Sequence, residues 1–368
     1  MIALQTLNRL NAETAQNRLK NLQTELKSTE FIPVDMRMIN NHIHTTYSFS
    51  PYSPTAAVYA ARADGLCTAG IVDHDSIGGA KEFIEAGKLV GIPTTIGVET
   101  RVSMDGTSFA QLRTNNPDQV GVSYMVLHGI PHAHINAVQS YFAPLREHRN
   151  VRNRSMVERI NALYADQGVS IAFERDVLPL SMALDGGCVT ERHLMLALAK
   201  QLEQLNHANA TPLENMFAEY DLVGKLKKEC IPKVYIDATN ECPSLADFVS
   251  FAGKVNGILA YAYLGDVTTS VTGDKNAQKF EDEHLDELFK TLDDYGVKAI
   301  TYMPTRNSDA QLKRLRDLCT RYGMFQISGE DINSPRQSFI IEKMKDTQFA
   351  NLIESTWDII RHENGDKA

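Results

Sequence analysis

Residues 40–54 read "NNHIHTTYSFSPYSP", and their reading decides the fold. An apolar stretch ends here in His42 and His44, one residue apart. Side chains alternate between faces along a strand, so an H-x-H in a strand turns both imidazoles to the same side. Two neighbouring imidazoles at a strand end raise the question of a metal site, and of which partners follow downstream.

From this strand onward, strand-like and helix-like segments alternate. The candidate strands are "RMINNHIH", "TAGIV", "TTIGVE", "VSYMVLHGI", "GILAYAYL", "KAITYM" and "MFQIS", and helix patterns follow most of them, over 54–65, 78–90, 277–295 and 308–322. Seven such units imply a parallel sheet, most simply a closed or nearly closed α/β barrel. The largely helical block 131–256 interrupts the alternation. It reads as an insertion between the fourth and fifth strands that caps the barrel mouth. Residues 3–29 read as one polar helix with a narrow stripe of Ala12, Ala15, Leu19, Leu22 and Leu26. Packing on its own subunit is preferred for this stripe; a homo-oligomer contact is the second reading. The domains are thus an N-terminal helix (1–30), a barrel (31–130 and 257–346), the insertion (131–256) and a C-terminal helix (347–368).

Barrel active sites are built at the C-terminal ends of the strands. His42 and His44 follow the first strand, and Asp73, His74 and Asp75 ("DHDS") the second. Glu99 ("GVET") follows the third, Tyr124 and His128 belong to the fourth, Tyr261, Tyr263 and Asp266 to the fifth, and Glu330, Asp331 and Asn333 ("SGEDIN") follow the seventh. Buried ionised groups need partners or a metal. A convergent His, His, Glu, Asp set is therefore harder to explain as structure than a lone histidine. Imidazole and carboxylate donors suit Zn, Mn or Fe better than Mg or Ca. A divalent ion there would lower the pKa of a bound water and polarise a phosphoryl oxygen.

The series "HIH … GIVDHDS … GIPTTIGVE … ISGED" resembles the polymerase and histidinol phosphatase (PHP) family over roughly residues 37–130 and 257–335. The resemblance implies a distorted seven-unit β/α barrel of the TIM-like kind and metal-dependent phosphoesterase activity. It is closest to the small-phosphoesterase branch with a helical insertion after the fourth strand. It assigns the first metal to His42, His44, Glu99 and Asp331, and places His74 at the histidine of a third metal site. At other ligand positions of the family this chain has Phe49 and Ser50, Tyr124, Tyr261 and Asn333. "VTERHL" (189–194) and "NSPRQSF" (333–339) resemble segments of a divergent branch. The expected cofactor is a divalent transition metal, Zn, Mn or Fe, as at least one ion, with a second sharing Glu99 as the larger stoichiometry.

Other residues carry two readings. Asp75 is read as the N-cap of the next helix and, beside His74, as a member of the catalytic group; His74 is a ligand or a substrate contact. Asp73 is a candidate to orient a ligand histidine. Arg149, Arg152 and Arg154 lie on the first long helix of the insertion, where arginines of related phosphoesterases hold phosphate by their planar fork. Arg154, Arg192 and His193 of "TERH", and Arg306 on the rim after strand six are the candidate substrate contacts, with Arg336 a similar case. Tyr261 is read as a core aromatic or as a hydroxyl near the metal.

Composition excludes other classes. The net charge of −9 gives no electrostatic basis for holding a nucleic-acid polymer. No apolar run reaches the roughly 18 residues of a membrane span, and residues 1–20 lack a signal-peptide pattern. Five scattered cysteines suit reduced thiols, and a cytoplasmic location is expected. The expected function is metal-dependent hydrolysis of a phosphate ester on a small molecule by metal-activated water. A catalytically reduced barrel that binds a phosphorylated metabolite or partner is the alternative. An amidohydrolase fits less well, because no bridging lysine is placed for it.

Overall fold

The computed structural model describes residues 3–202, 212–266 and 280–365. A seven-stranded sheet in chain order forms the centre: β1 (Asp35–Ile43), β2 (Leu66–His74), β3 (Thr94–Ser103), β4 (Val122–His128), β5 (Ile258–Tyr263), β6 (Ala299–Tyr302) and β7 (Phe325–Ser328). Around it lie α1 (Leu4–Leu10), α2 (Ala15–Glu25), α3 (Pro54–Ala63), α4 (Ala80–Val90), α5 (Ile135–Leu163), α6 (Glu191–Gln201), α7 (Pro212–Val234), α8 (Leu245–Lys254), α9 (Leu285–Tyr295), α10 (Asp309–Tyr322) and α11 (Ala350–Asn364). Residues 277–279 of the expected helix 277–295 lie outside the described residues. An isolated parallel bridge from Ile43 to Ile332 nearly closes the sheet into a barrel. There the Ile332 carbonyl accepts from His44 N–H at 3.0 Å, and Ile332 N–H donates to the His42 carbonyl at 3.2 Å.

The sheet is not parallel throughout. β4 is antiparallel to both β3 and β5, whereas the other neighbours pair in parallel. No helix lies between β3 and β4, so nothing carries the chain back to the far side. It turns over at the mouth instead, and Ser103 pairs with Val122.

This reversal positions the insertion. The chain leaves β4 at the end remote from the mouth. α5, with 29 residues and a length of about 44 Å, climbs back up the barrel wall. Its first half packs Ile135, Val138 and Phe142 into the barrel core beside Leu245 and Phe248 of α8. Its second half packs Met156, Val157 and Ile160 with α6 and α7 in a separate core that also takes in Phe49. At the opposite end, Ile359 of α11 sits with Ala260, Ala299 and Ile327.

The N-terminal segment forms two helices where the sequence predicts one. Thr14 breaks it by capping α2, its side chain accepting from Asn17 N–H. Leu7, Leu10 and Leu22 are buried, and the Arg18 guanidinium meets Glu82 of α4 at 2.6 Å within the same chain.

Candidate metal centre

The side chains singled out in the sequence meet at the C-terminal mouth. His42 lies near the end of β1 and His44 just beyond it. The β1–β2 register slips between Asn40 and Ile43, the kind of irregularity that re-aims side chains. His74, the last residue of β2, pairs with Glu99 in β3. Asp331 follows β7. Glu99 Oε2 lies 3.8 Å from His42 Nε2, 3.6 Å from His44 Nε2 and 3.0 Å from His74 Nδ1, and Asp331 Oδ1 lies 3.3 Å from His44 Nε2. One donor atom each from His42, His44 and Glu99 falls within 4.8 Å of the others. Among the described residues, the ion pairs of Glu99 and Asp331 are with histidines alone. Two carboxylates whose only ionic partners among the described residues are imidazoles fit a bound cation, and the nitrogen and oxygen donors suit a transition metal.

Several polar residues hold this geometry. Asn40 Oδ1 accepts from the N–H groups of His42 (2.9 Å) and Glu330 (3.0 Å), while its Nδ2 donates to the Glu330 carbonyl at 3.1 Å. One amide thus clamps the strand of His42 to the loop of Asp331. Asn333 Nδ2 donates to Asp331 Oδ1 at 2.7 Å. Asp73 accepts from Thr45 and Ser48, and Ser48 Oγ lies 3.2 Å from His44 Nδ1. Asn40 and Ser48 carried no signal beyond being small and polar beside the H-x-H.

Electrostatics follow the contacts. Burial opposes ionisation of Glu99, but the imidazoles of His74 and His42 outweigh it and hold the carboxyl well below its ordinary range. Burial also acts against Asp331, and His44 overcomes it, bringing the carboxyl down to about 2. For His44, burial disfavours the charged ring, yet Asp331, Glu99 and Asp73 raise its pKa. Burial lowers that of His74 despite Glu99.

Two pockets flank the cluster. One lies toward β5 and β6, lined by Ala262, Tyr263, Leu264, Met303 and Tyr302 together with His42, Glu99 and Asp331. The other lies toward the insertion, where Arg149, Arg192, Lys227, Tyr124, Phe49 and Asn333 line it with His44 and His74.

Other expected site residues lie elsewhere in the structure. Asp75 neither caps α4, whose N-cap is Gly79, nor faces the donor cluster. Its backbone adopts φ +50°, and its carboxylate accepts from Thr100 Oγ1 at 2.5 Å and Arg149 Nη1 at 2.7 Å. Arg149 also binds Glu191, Arg152 joins Glu191 to Glu241, and Arg101 reaches both glutamates. Three arginines and three carboxylates thus form a buried, charge-balanced seam between barrel and insertion. His193 is buried, and its Nδ1 accepts from Thr190 N–H at 3.0 Å as part of a capping box at the start of α6. Burial brings its pKa down to about 3. Arg154 points outward to Glu147 and Glu174. Arg306 donates from Nε to the Leu264 carbonyl at 3.0 Å, and Arg336 pairs with Asp221. Tyr261 is a core aromatic whose hydroxyl donates to Glu281 at 2.7 Å. Of the candidate contacts Arg154, Arg192, His193, Arg306 and Arg336, Arg192 lines the pocket toward the insertion.

Comparison with known proteins places this arrangement. A family model for the PHP domain matches residues 40–297. An error-prone DNA polymerase of Mycobacterium tuberculosis is 35% identical over 88 residues, 23% of this chain and 8% of that protein. A 5′-3′ exoribonuclease of Haemophilus influenzae is 40% identical over 65 residues, 18% of this chain and 24% of that protein. The matches thus span a minor part of these relatives. Among solved structures, a protein of Bifidobacterium adolescentis provisionally assigned as a metal-dependent phosphoesterase aligns with a TM-score of 0.60 at 21% identity, over 88% of this chain and 96% of that one. An amidohydrolase of Chromobacterium violaceum with bound sulfate and no metal aligns with a TM-score of 0.59 at 19% identity, over 81% and 88%. At these identities the likeness concerns the fold.

Proposed function

The chain belongs to the PHP domain family, and on that premise we propose that it is a metal-dependent phosphoesterase acting on a phosphate ester of a small molecule, nucleotide- or sugar-phosphate-like. The observation that carries this reading is the convergence of His42, His44, Glu99 and Asp331 beside a pocket walled by Arg149, Arg192 and Lys227. A divalent ion on those four residues would supply Lewis-acid polarisation of a phosphoryl oxygen and a more acidic water. The protein's own groups do the rest. Arg192 and Lys227 set positive charge where the transferring group gathers negative charge. Arg149 is held by Asp75 and Glu191 and acts as a fixed wall. His74 donates from Nδ1 to Glu99, which leaves Nε2 of the neutral ring to accept a proton.

The test is a screen of phosphate esters with Mn²⁺ supplied. It includes a 5′-phosphorylated oligonucleotide, because one relative is an exoribonuclease. Turnover of a small ester that Asp331→Asn abolishes is the expected result. No turnover above the Asp331→Asn background would favour a barrel that binds a phosphorylated metabolite without hydrolysing it.

A further inference from the structure

Resting on the metal reading above, we infer that Ser48 and Asp73 are positioning residues that fix the tautomer of His44 and so aim its Nε2 lone pair at the ion. The Asp73 carboxylate receives Thr45 N–H at 2.7 Å, Thr45 Oγ1 at 2.6 Å and Ser48 Oγ at 2.6 Å. Thr45 Oγ1 accepts from Tyr47 N–H at 3.3 Å, so its own proton goes to Asp73. Ser48 has a single hydroxyl proton, and it also goes to Asp73, since a carboxylate only accepts.

Ser48 Oγ then has only lone pairs for its remaining neighbour, His44 Nδ1, at 3.2 Å. The proton between them must sit on Nδ1. A neutral imidazole that carries its proton on Nδ1 has its lone pair on Nε2. Nε2 is the atom that faces Glu99 and Asp331. The opposite tautomer would set lone pair against lone pair at Ser48 and turn an N–H toward the ion. His44, Thr45, Ser48 and Asp73 are each no more than 1% exposed, so bulk water does not compensate for a wrong proton.

The backbone makes the chain of contacts local. Ser48 N–H and Phe49 N–H both donate to the Thr45 carbonyl, and this turn brings the Ser48 hydroxyl to His44 Nδ1. The next residue, Phe49, is anchored in the core of the insertion. One short loop therefore orients a metal ligand and ties the cap to the barrel.

The test is titration of the metal-free full chain with Mn²⁺, followed by loss of the free-ion EPR signal, for wild type, Ser48→Ala and the control Ser50→Ala. Ser50 is buried in the same loop and takes no part in the proton chain. Ser48→Ala should weaken Mn²⁺ binding about ten- to a hundredfold, as loss of a ligand's orienting partner does, and Ser50→Ala should leave it unchanged. Independently of any variant, ¹⁵N-histidine spectra of Zn²⁺-loaded wild type should show His44 protonated at Nδ1 and shifted by metal at Nε2. Unchanged affinity in Ser48→Ala, an equal loss in Ser50→Ala, or metal on Nδ1 would overturn the inference while leaving the metal reading intact. A wild type that takes up no ion would overturn both.

Discussion

The two halves of the barrel mouth are built on the same plan and carry opposite chemistry. Toward β1, β2, β3 and β7, His42, His44, His74, Glu99 and Asp331 crowd around one point. Toward β5 and β6, Ala262, Leu264 and Met303 line the wall. Strand direction and strand alternation account for the difference. Glu99 pairs with Val126, and the reversed β4 carries His128 onward, away from the mouth. Burial there brings the His128 pKa down to about 3, and its Nε2 has no hydrogen-bond partner among the described residues. In β5, alternation puts Ala262 in the pocket and sends Tyr261 to Glu281. The ionisable donors thus belong to one half of the mouth, and β5 and β6 offer an uncharged wall.

The strongest way to disturb the contrast is to break the charged seam behind the donor-rich half. Glu191→Ala removes one buried partner from both Arg149 and Arg152 and leaves Asp75 and Glu241 to answer three buried arginines, and removing one member of a buried ionic network costs about 3–5 kcal/mol. Urea unfolding of metal-free protein should show that loss, and a change below about 1 kcal/mol would mean the seam is not holding the cap.

A smaller effect separates two arginines of the insertion. Arg192→Ala should weaken binding of inorganic phosphate by about 1.5–3 kcal/mol, the range for a hydrogen bond to a charged group, with metal content unchanged. Calorimetry reads the first and elemental analysis the second.

The donor cluster should also respond to pH. The pKa of His44 is raised in the folded, metal-free protein. Its pairing with Asp331 therefore adds stability below the ordinary value of 6.5, and this is lost as pH rises through the raised value. An ion must displace that proton, so Mn²⁺ affinity should climb with pH across the same window. One displaced proton corresponds to at most about tenfold per pH unit. A flat profile would show that His44 gives up no proton to the ion.

The smallest effect is expected at Arg154. Arg154→Ala should stay within about 0.5 kcal/mol of wild type in stability and leave phosphate binding unaltered. An effect equal to that of Arg192→Ala would erase the distinction between the pocket and the outer face of α5.

These residues show what the sequence made legible. H-x-H, "DHD" and "GVE" stand out because several ionisable groups at successive strand ends have few structural explanations. The direction of β4 does not stand out, because an apolar run looks the same whichever way the strand runs; the missing helix between the third and fourth strands was the available clue. Arg154 was separable in principle. Arg149, Arg152, Met156 and Ile160 recur every three or four residues along one buried face of α5, and Arg154 falls off it. A "DHDS" before a helix looks like a cap, whereas the partner that holds Asp75, Arg149, lies 74 residues away. Asn40 and Ser48 act through hydrogen bonds to His42 and His44, and their residue types alone do not announce that.

One ion on His42, His44, Glu99 and Asp331 should be detectable by direct metal measurement. Elemental analysis of wild type and His44→Ala, both purified without chelator, tests it most directly. The expected result is about one transition-metal ion per chain in the wild type, where His44 Nε2 faces both carboxylates, and little in His44→Ala. Equal metal content in the two proteins would contradict it.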